Sequence, residues 1–219
     1  MNRKIKILYE DDAIAVCVKP AGVLSQAGKP GEETMLTGLE AQLGGTFYPV
    51  HRLDRQVGGV MVYGRTSEVA GALGKEIQQG NMKKEYLAAV HGAVMPECGE
   101  MEDLLLHDAR KNKSFVVKRM RGGVKKARLA YCVLDAKDVS SLVQVRLHTG
   151  RTHQIRVQFA SRTHPLLGDG RYGGGSGQLA LWSARISFHH PKTGEQCCFS
   201  AMPEQLGPWT ILPQLTEMP

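Results

Sequence analysis

Three short segments of the chain carry side chains able to do chemistry. In His51-Arg52-Leu53-Asp54-Arg55-Gln56-Val57-Gly58-Gly59 a single carboxylate stands between two arginines. Nearby positive charge favours the ionised form of an acid. An ionised Asp54 suits a nucleophile or an electrostatic stabiliser, not a general acid near neutral pH. Gly58-Gly59 would let the backbone come close to a ligand. Taken alone, the same residues also describe a surface loop with a structural Asp–Arg pair.

The second segment is Leu147-His148-Thr149-Gly150-Arg151-Thr152-His153-Gln154-Ile155-Arg156. Gly150 after a strand-like run reads as a turn into a helix, with Arg151, Thr152 and His153 offering donors at its start. His148 and His153 lie off a common helical face and have no carboxylate or thiol nearby, so no metal site is expected. The third segment is Lys83-Lys84-Glu85-Tyr86-Leu87-Ala88-Ala89-Val90-His91-Gly92. On a strand, Tyr86 and Ala88 share one face. A tyrosine there packs in a core, or stacks on a base with its hydroxyl available for proton transfer.

These segments need elements to position them. Ile5 to Leu8 and Ala13 to Val18 are β-rich runs around an acidic turn, which predicts a hairpin. Met35, Leu36, Leu39 and Leu43 give a helical spacing closed by Gly44-Gly45. Gly59 to Gly64 reads as a strand. Ser67 is the expected cap of a helix with Val69, Ala72, Leu73 and Ile77 as its apolar stripe, ending at Gly80. Further strands are predicted over Lys84 to Val90, Ala127 to Leu134, Ser141 to Leu147 and Leu179 to Phe188, and a helix over Thr152 to Ser161. Strands outnumber helices and do not alternate with them, which favours α+β with a mixed, largely antiparallel sheet and flanking helices. Residues 1–219 parse as one domain.

Composition narrows the partners. The net charge is +7 and the pI about 9.2, which favours a polyanion or an anionic surface. The 5 cysteines include an adjacent pair and no CxxC, so reduced thiols are expected rather than a disulfide framework or a zinc ribbon. The basic start runs into Tyr9-Glu10-Asp11-Asp12, unlike a secretory signal. No stretch approaches the roughly 20 apolar residues of a membrane span. A cytoplasmic protein is expected.

The three segments, in this order, resemble the RluA-like family of pseudouridine synthases, whose pattern runs HRLD, then K-x-Y-x-A-x-V-x-G, then TGRTHQ[IL]R. Lys84 to Gly92 and Thr149 to Arg156 match the second and third parts throughout. The likeness extends to Leu8-Tyr9-Glu10-Asp11, Lys19-Pro20-Ala21-Gly22, His164-Pro165-Leu166-Leu167-Gly168-Asp169 and Tyr172-Gly173. The resemblance implies a pseudouridine synthase fold with a central catalytic cleft, and isomerisation of uridine in tRNA or rRNA without cofactor or metal. By the same resemblance Asp54 is the catalytic carboxylate, whether it adds to the sugar or acts on a glycal route. Arg151 is the basic residue that pairs with it and orients it. Tyr86 stacks on the uracil and assists loss of the C5 proton, and Arg52 fills the space left by the flipped base. The chain departs from the pattern at Val57-Gly58, where the family has Thr-Ser, and at Gln158, where His is common.

The densest basic stretch runs from Lys111 to Arg128 without an acid. Lys118, Arg119, Arg121, Lys125 and Lys126 are the expected phosphate contacts, with Gly122-Gly123 as a hairpin tip. The catalytic pattern starts within the first ten residues, so no separate N-terminal RNA-binding module is expected. A structured stem-loop bound by a monomer is the expected substrate arrangement. Two other readings stay open: a non-catalytic RNA-binding or RNA-chaperone protein on the same fold, and a nucleoside hydrolase that would release uracil.

Overall fold

A computed structural model describes residues 4–26 and 31–211. The chain divides into two compact units. The first takes the residues up to Lys84 together with Trp182–Pro203, and the second takes Glu85–Leu181 together with the segment from Glu204.

In the first unit, β1 (Lys6–Glu10) and β2 (Ile14–Lys19) form the predicted antiparallel hairpin. The acidic turn closes it, because the Asp11 carboxylate accepts from the amides of Ala13 and Ile14 at 2.8 and 2.7 Å. Next come α1 (Met35–Leu43), the two-residue β3 (Tyr48–Pro49), β4 (Gly58–Gly64) and α2 (Ser67–Gln79). β4 runs antiparallel to β2 and parallel to the start of β10 (Leu181–His189), to which β11 (Gln196–Ser200) adds an antiparallel edge. β4 is buried along its whole length, as a strand with a neighbour on each side and a covered face should be.

The core of this unit lies under α2. Leu73, with Val69 and Ile77, packs on Val16, Val60, Val62, Ile186 and Phe188. Two sequence expectations shift by small amounts. The cap of α2 is Thr66, whose hydroxyl accepts from the Val69 amide, and Ser67 is the first helical residue. Ala72 faces outward rather than joining the stripe.

The second unit holds most of β5 (Lys83–His91), then β6 (Cys98–Asp108), β7 (Lys113–Val117), β8 (Val124–Lys137), β9 (Ser140–Leu147) and α3 (Gln154–Ala160). Its strands lie in the order β5-β9-β8-β6-β7. β6 is central to the basic region, pairing with β8 on one side and β7 on the other. Gly122-Gly123 therefore does not join paired strands as a hairpin tip would. The link after β7 carries the chain past β6 to β8. Leu105, Ala127 and Val157 pack together, with Tyr172 at their margin.

The cysteines also depart from expectation. Cys98 and Cys132 are register partners in the β6–β8 ladder, 4.1 Å apart at Cα, and are joined as a disulfide. Sequence spacing carried no sign of this, since the pairing depends on strand register. No described helix is long and apolar enough to cross a membrane. Strands dominate and helices cover them in both units, an α+β architecture.

Candidate active site

Asp54 lies in a turn between β3 and β4, and that turn is fastened on several sides. The Val57 amide donates to the Asp54 carbonyl at 2.9 Å, closing the turn itself. The Leu53 amide donates to the Ser25 hydroxyl at 3.0 Å, and that hydroxyl donates to the Leu53 carbonyl at 2.6 Å. Ser25 is held in its turn by the Tyr63 hydroxyl, which donates to its carbonyl at 2.7 Å.

Lys19 ties the other flank. Its side chain is fully buried. The ammonium donates to the carbonyls of Pro20, Val23 and Arg55 at 2.9, 2.6 and 3.1 Å. Burial pulls its pKa down to about 8; the Asp54 carboxylate works against that and Arg55 with it. The sequence suggested that the two flanking arginines set the charge around Asp54. Arg55 donates through Nε to the Gly22 carbonyl at 2.9 Å and pairs with Glu32 at 3.3 Å, and Arg52 is exposed. The Asp54 carboxylate acts on the Lys19 ammonium, a cation from the distant Lys19-Pro20-Ala21-Gly22 segment.

Gly58 and Gly59 have a packing reason. A Cβ at Gly58 would stand 2.4 Å from the ring of Trp182, and one at Gly59 would stand 2.2 Å from the Ser183 carbonyl oxygen. Gly59 also has φ +120, a backbone region that L side chains rarely occupy. Trp182 is held in place by Nε1 donating to the Ala201 carbonyl at 2.7 Å. The hydroxyl missing at position 58 is thus replaced by an indole lying over a glycine. At position 57 a buried valine, 2% exposed, fills the space.

His51 opens the same segment. Burial, helped by the Lys84 ammonium, pushes its pKa down to about 3, so it is neutral. Its Nε2 accepts from the Val62 amide at 3.5 Å, which leaves the ring proton on Nδ1.

In the second unit, Tyr86 is 6% exposed on β5, a strand buried on both faces. Beside it Glu85, itself buried, pairs with Arg146 at 2.7 Å. Arg151 follows β9 in the turn before α3. Its Nε donates to the Lys126 carbonyl at 2.9 Å, so β8 both carries predicted phosphate contacts and anchors Arg151.

Gln154 organises that turn, and sequence reasoning did not single it out. Its Oε1 accepts from the Arg151 amide at 3.0 Å and the Thr149 hydroxyl at 2.8 Å. Its Nε2 donates to the Arg128 carbonyl at 3.1 Å. A buried amide with both ends satisfied fixes the backbone on either side of it. The signal was present as the glutamine of TGRTHQIR, but its bond to the Arg128 carbonyl of β8 is one that no spacing reveals.

The five predicted RNA contacts are all exposed. Lys118, Arg119 and Arg121 lie on the link after β7, and Lys125 and Lys126 at the start of β8. Asp54 and Arg52 belong to the first unit, whereas Tyr86, Arg151 and these basic residues belong to the second. Among the described residues no group of three or more His, Cys, Asp or Glu is gathered to hold a metal ion.

Comparison with known proteins adds the family. Residues 13–161 match the RNA pseudouridylate synthase family. A tRNA pseudouridine synthase C of Pasteurella multocida is 31% identical over 226 residues, covering 92% of this chain and 92% of that protein. A ribosomal large subunit pseudouridine synthase D of Neisseria meningitidis is 34% identical, covering 90% of this chain and 58% of its own length. Among solved structures, human RNA pseudouridylate synthase domain containing 4 superposes with a TM-score of 0.76 at 21% identity, over 91% of this chain and 89% of that one. The fold, the ordered motifs and the matched length agree, and the chain belongs to the RNA pseudouridylate synthases of the RluA-like kind.

Proposed function

We propose that this enzyme converts a uridine in a structured tRNA or rRNA segment to pseudouridine, with Asp54 as the reacting carboxylate. The observation that carries this reading is the fastening of the Asp54 turn by Lys19 and Ser25, with a hydrogen-bonded clamp around Arg151 as its counterpart. Preorganised groups of this kind are what a positioned reaction needs.

The reaction is an isomerisation. The bond from ribose C1′ to uracil N1 breaks, the base turns, and C1′ joins C5. The C5 proton leaves and N1 gains one, so no atom is gained or lost overall. Positive charge develops on the sugar as the first bond weakens, and the Asp54 carboxylate meets it, either by adding to the sugar or by the glycal route. Arg151 orients Asp54. Tyr86 stacks on the uracil and assists removal of the C5 proton. The target must leave the helical stack to be reached, and Arg52 fills the space it leaves.

The basic residues Lys118, Arg119, Arg121, Lys125 and Lys126 grip phosphates, an interaction that weakens with salt. Selection of one uridine then rests on the shape of the RNA and on its splayed bases. A monomeric, cytoplasmic enzyme that works without a cofactor fits this reading. Mapping pseudouridine in total RNA from cells with and without the protein tests it. Loss of a defined tRNA or rRNA site is expected, and an unchanged map overturns the reading.

A further inference from the structure

In the second unit, outside the reacting set, a polar cluster centres on Tyr172. His153, two residues after Arg151, takes the left-handed backbone conformation with φ 56, uncommon for a residue with a side chain. It stands at the N-cap of α3, yet its side chain does not cap the helix. Its Nδ1 lies 3.0 Å from the Tyr172 hydroxyl. That hydroxyl accepts from the Ser114 amide of β7 at 2.8 Å, so its own proton is available to His153 Nδ1. Burial raises the Tyr172 pKa and keeps the phenol protonated as a donor.

Ser114 makes a second link. Its hydroxyl donates to the Thr152 carbonyl at 2.6 Å. The Tyr172 ring is flanked by two cations, with Lys113 Nζ 5.0 Å and the Arg156 guanidinium 5.2 Å from its centroid. Arg156 is fixed in turn by a two-bonded ion pair with Asp169, each bond 2.7 Å. Ser114 thus joins β7 to both residues that follow Arg151, directly through Thr152 and through Tyr172 to His153. β7 carries Lys113 and leads straight into Lys118, Arg119 and Arg121. A left-handed non-glycine residue is strained and persists where its surroundings fix it. Here the hydrogen bond to Tyr172 is such a surrounding.

We propose that Tyr172 is a positioning residue whose hydroxyl, together with the Ser114–Thr152 bond, makes β7 and the Arg151 turn move as one body, so that RNA phosphates gripped by the basic link after the strand set where Arg151 stands. This rests on the RNA-modifying reading above and assigns a route from RNA binding to the reacting groups. Misplacement by about an ångström is enough to slow a positioned reaction strongly.

The test compares wild type with Tyr172→Phe, which keeps the ring and its flanking cations, and with the pair His153→Asn and His153→Ala. Asparagine retains an acceptor close to the place of Nδ1 and tolerates the left-handed backbone; alanine offers neither. Two quantities are read: kcat and KM on a structured RNA substrate, and amide hydrogen exchange over residues 113–117 and 151–154 with and without that RNA. For Tyr172→Phe, kcat is expected to fall on the order of 10-fold with KM within about 2-fold. RNA should still protect 113–117, and the protection it confers on 151–154 should weaken, the Ser114–Thr152 bond alone remaining. His153→Asn should keep most of the activity that His153→Ala loses.

Unchanged kcat with protection of 151–154 undiminished overturns the proposal, as does equal activity of the two His153 variants. Should Tyr172→Phe fail to fold, the His153 pair carries the same decision. If wild type itself makes no pseudouridine, the functional reading fails, whereas the exchange pattern still decides the role of Tyr172.

Discussion

The Lys19 ammonium donates to the backbone carbonyl of Arg55, the residue next to Asp54, across 3.1 Å. A fully buried cation thereby ties the Asp54 turn to the segment after β2, since it also bonds Pro20 and Val23. Lys19→Met keeps the stem and removes the charge, leaving three carbonyls short of a donor. Unfolding free energy in urea should fall by about 3 kcal/mol, and kcat should fall with little change in RNA affinity. Wild-type stability in this variant would show that the link is idle.

Trp182 and Gly58 make a second testable pair. Introducing the family's serine by Gly58→Ser places a side chain against the indole and should cost about 1–3 kcal/mol. Pairing it with Trp182→Leu should recover part of that loss in a thermal melt. A single Gly58→Ser variant as stable as wild type would mean that the indole is not what excludes a side chain there.

Arg156 and Asp169 form a buried ion pair, 5% and 0% exposed at their side chains. Removing one partner strands the other charge in the interior. Asp169→Ala should lower stability by about 3–5 kcal/mol, read from the urea midpoint. A shift below about 1 kcal/mol, the usual worth of a surface pair, would contradict the buried geometry.

His51 gives the protein an acid sensitivity. Its pKa is lowered by burial and by Lys84, from the ordinary 6.5 to about 3. Between those values the unfolded chain binds a proton that the folded chain does not, so stability present above pH 6.5 is lost as pH falls towards 3. At pH 5 the loss should reach about 2 kcal/mol, and His51→Gln should lack this component. Parallel stability–pH curves for the two proteins would overturn the assignment.

Much of the candidate site was legible because the three motifs are contiguous and ordered. Lys84-Glu85-Tyr86 and Thr149 to Arg156 sit on the strand and the turn that their spacing suggested. β6 and β7 were not legible. Leu104, Leu105 and Leu106 break the alternation that marks a half-buried strand, and the edge strand β7 is only 5 residues long. The roles of Lys19, Gln154 and Trp182 depend on partners brought close by register and folding, as with Cys98 and Cys132. The Val57-Gly58 departure looked like a loss until the indole over Gly58 was in view. Side-chain type gave the chemistry; the hydrogen bonds that hold it still came only with three dimensions.

For the basic arm, Lys118→Ala combined with Arg119→Ala and Arg121→Ala should weaken RNA binding about equally across sequences. The slope of log affinity against log salt should also flatten by roughly one unit for each phosphate no longer gripped. An unaltered slope would place the RNA elsewhere.

The most direct measurement follows pseudouridine formation with enzyme in excess over a substrate RNA, for wild type and for Asp54→Asn matched in RNA affinity. Asparagine keeps the size of the side chain and removes its charge. Wild type should convert the target uridine fully, and Asp54→Asn should form none above the enzyme-free level. Conversion by Asp54→Asn within a few-fold of the wild-type rate would mean that the carboxylate is not the reacting group.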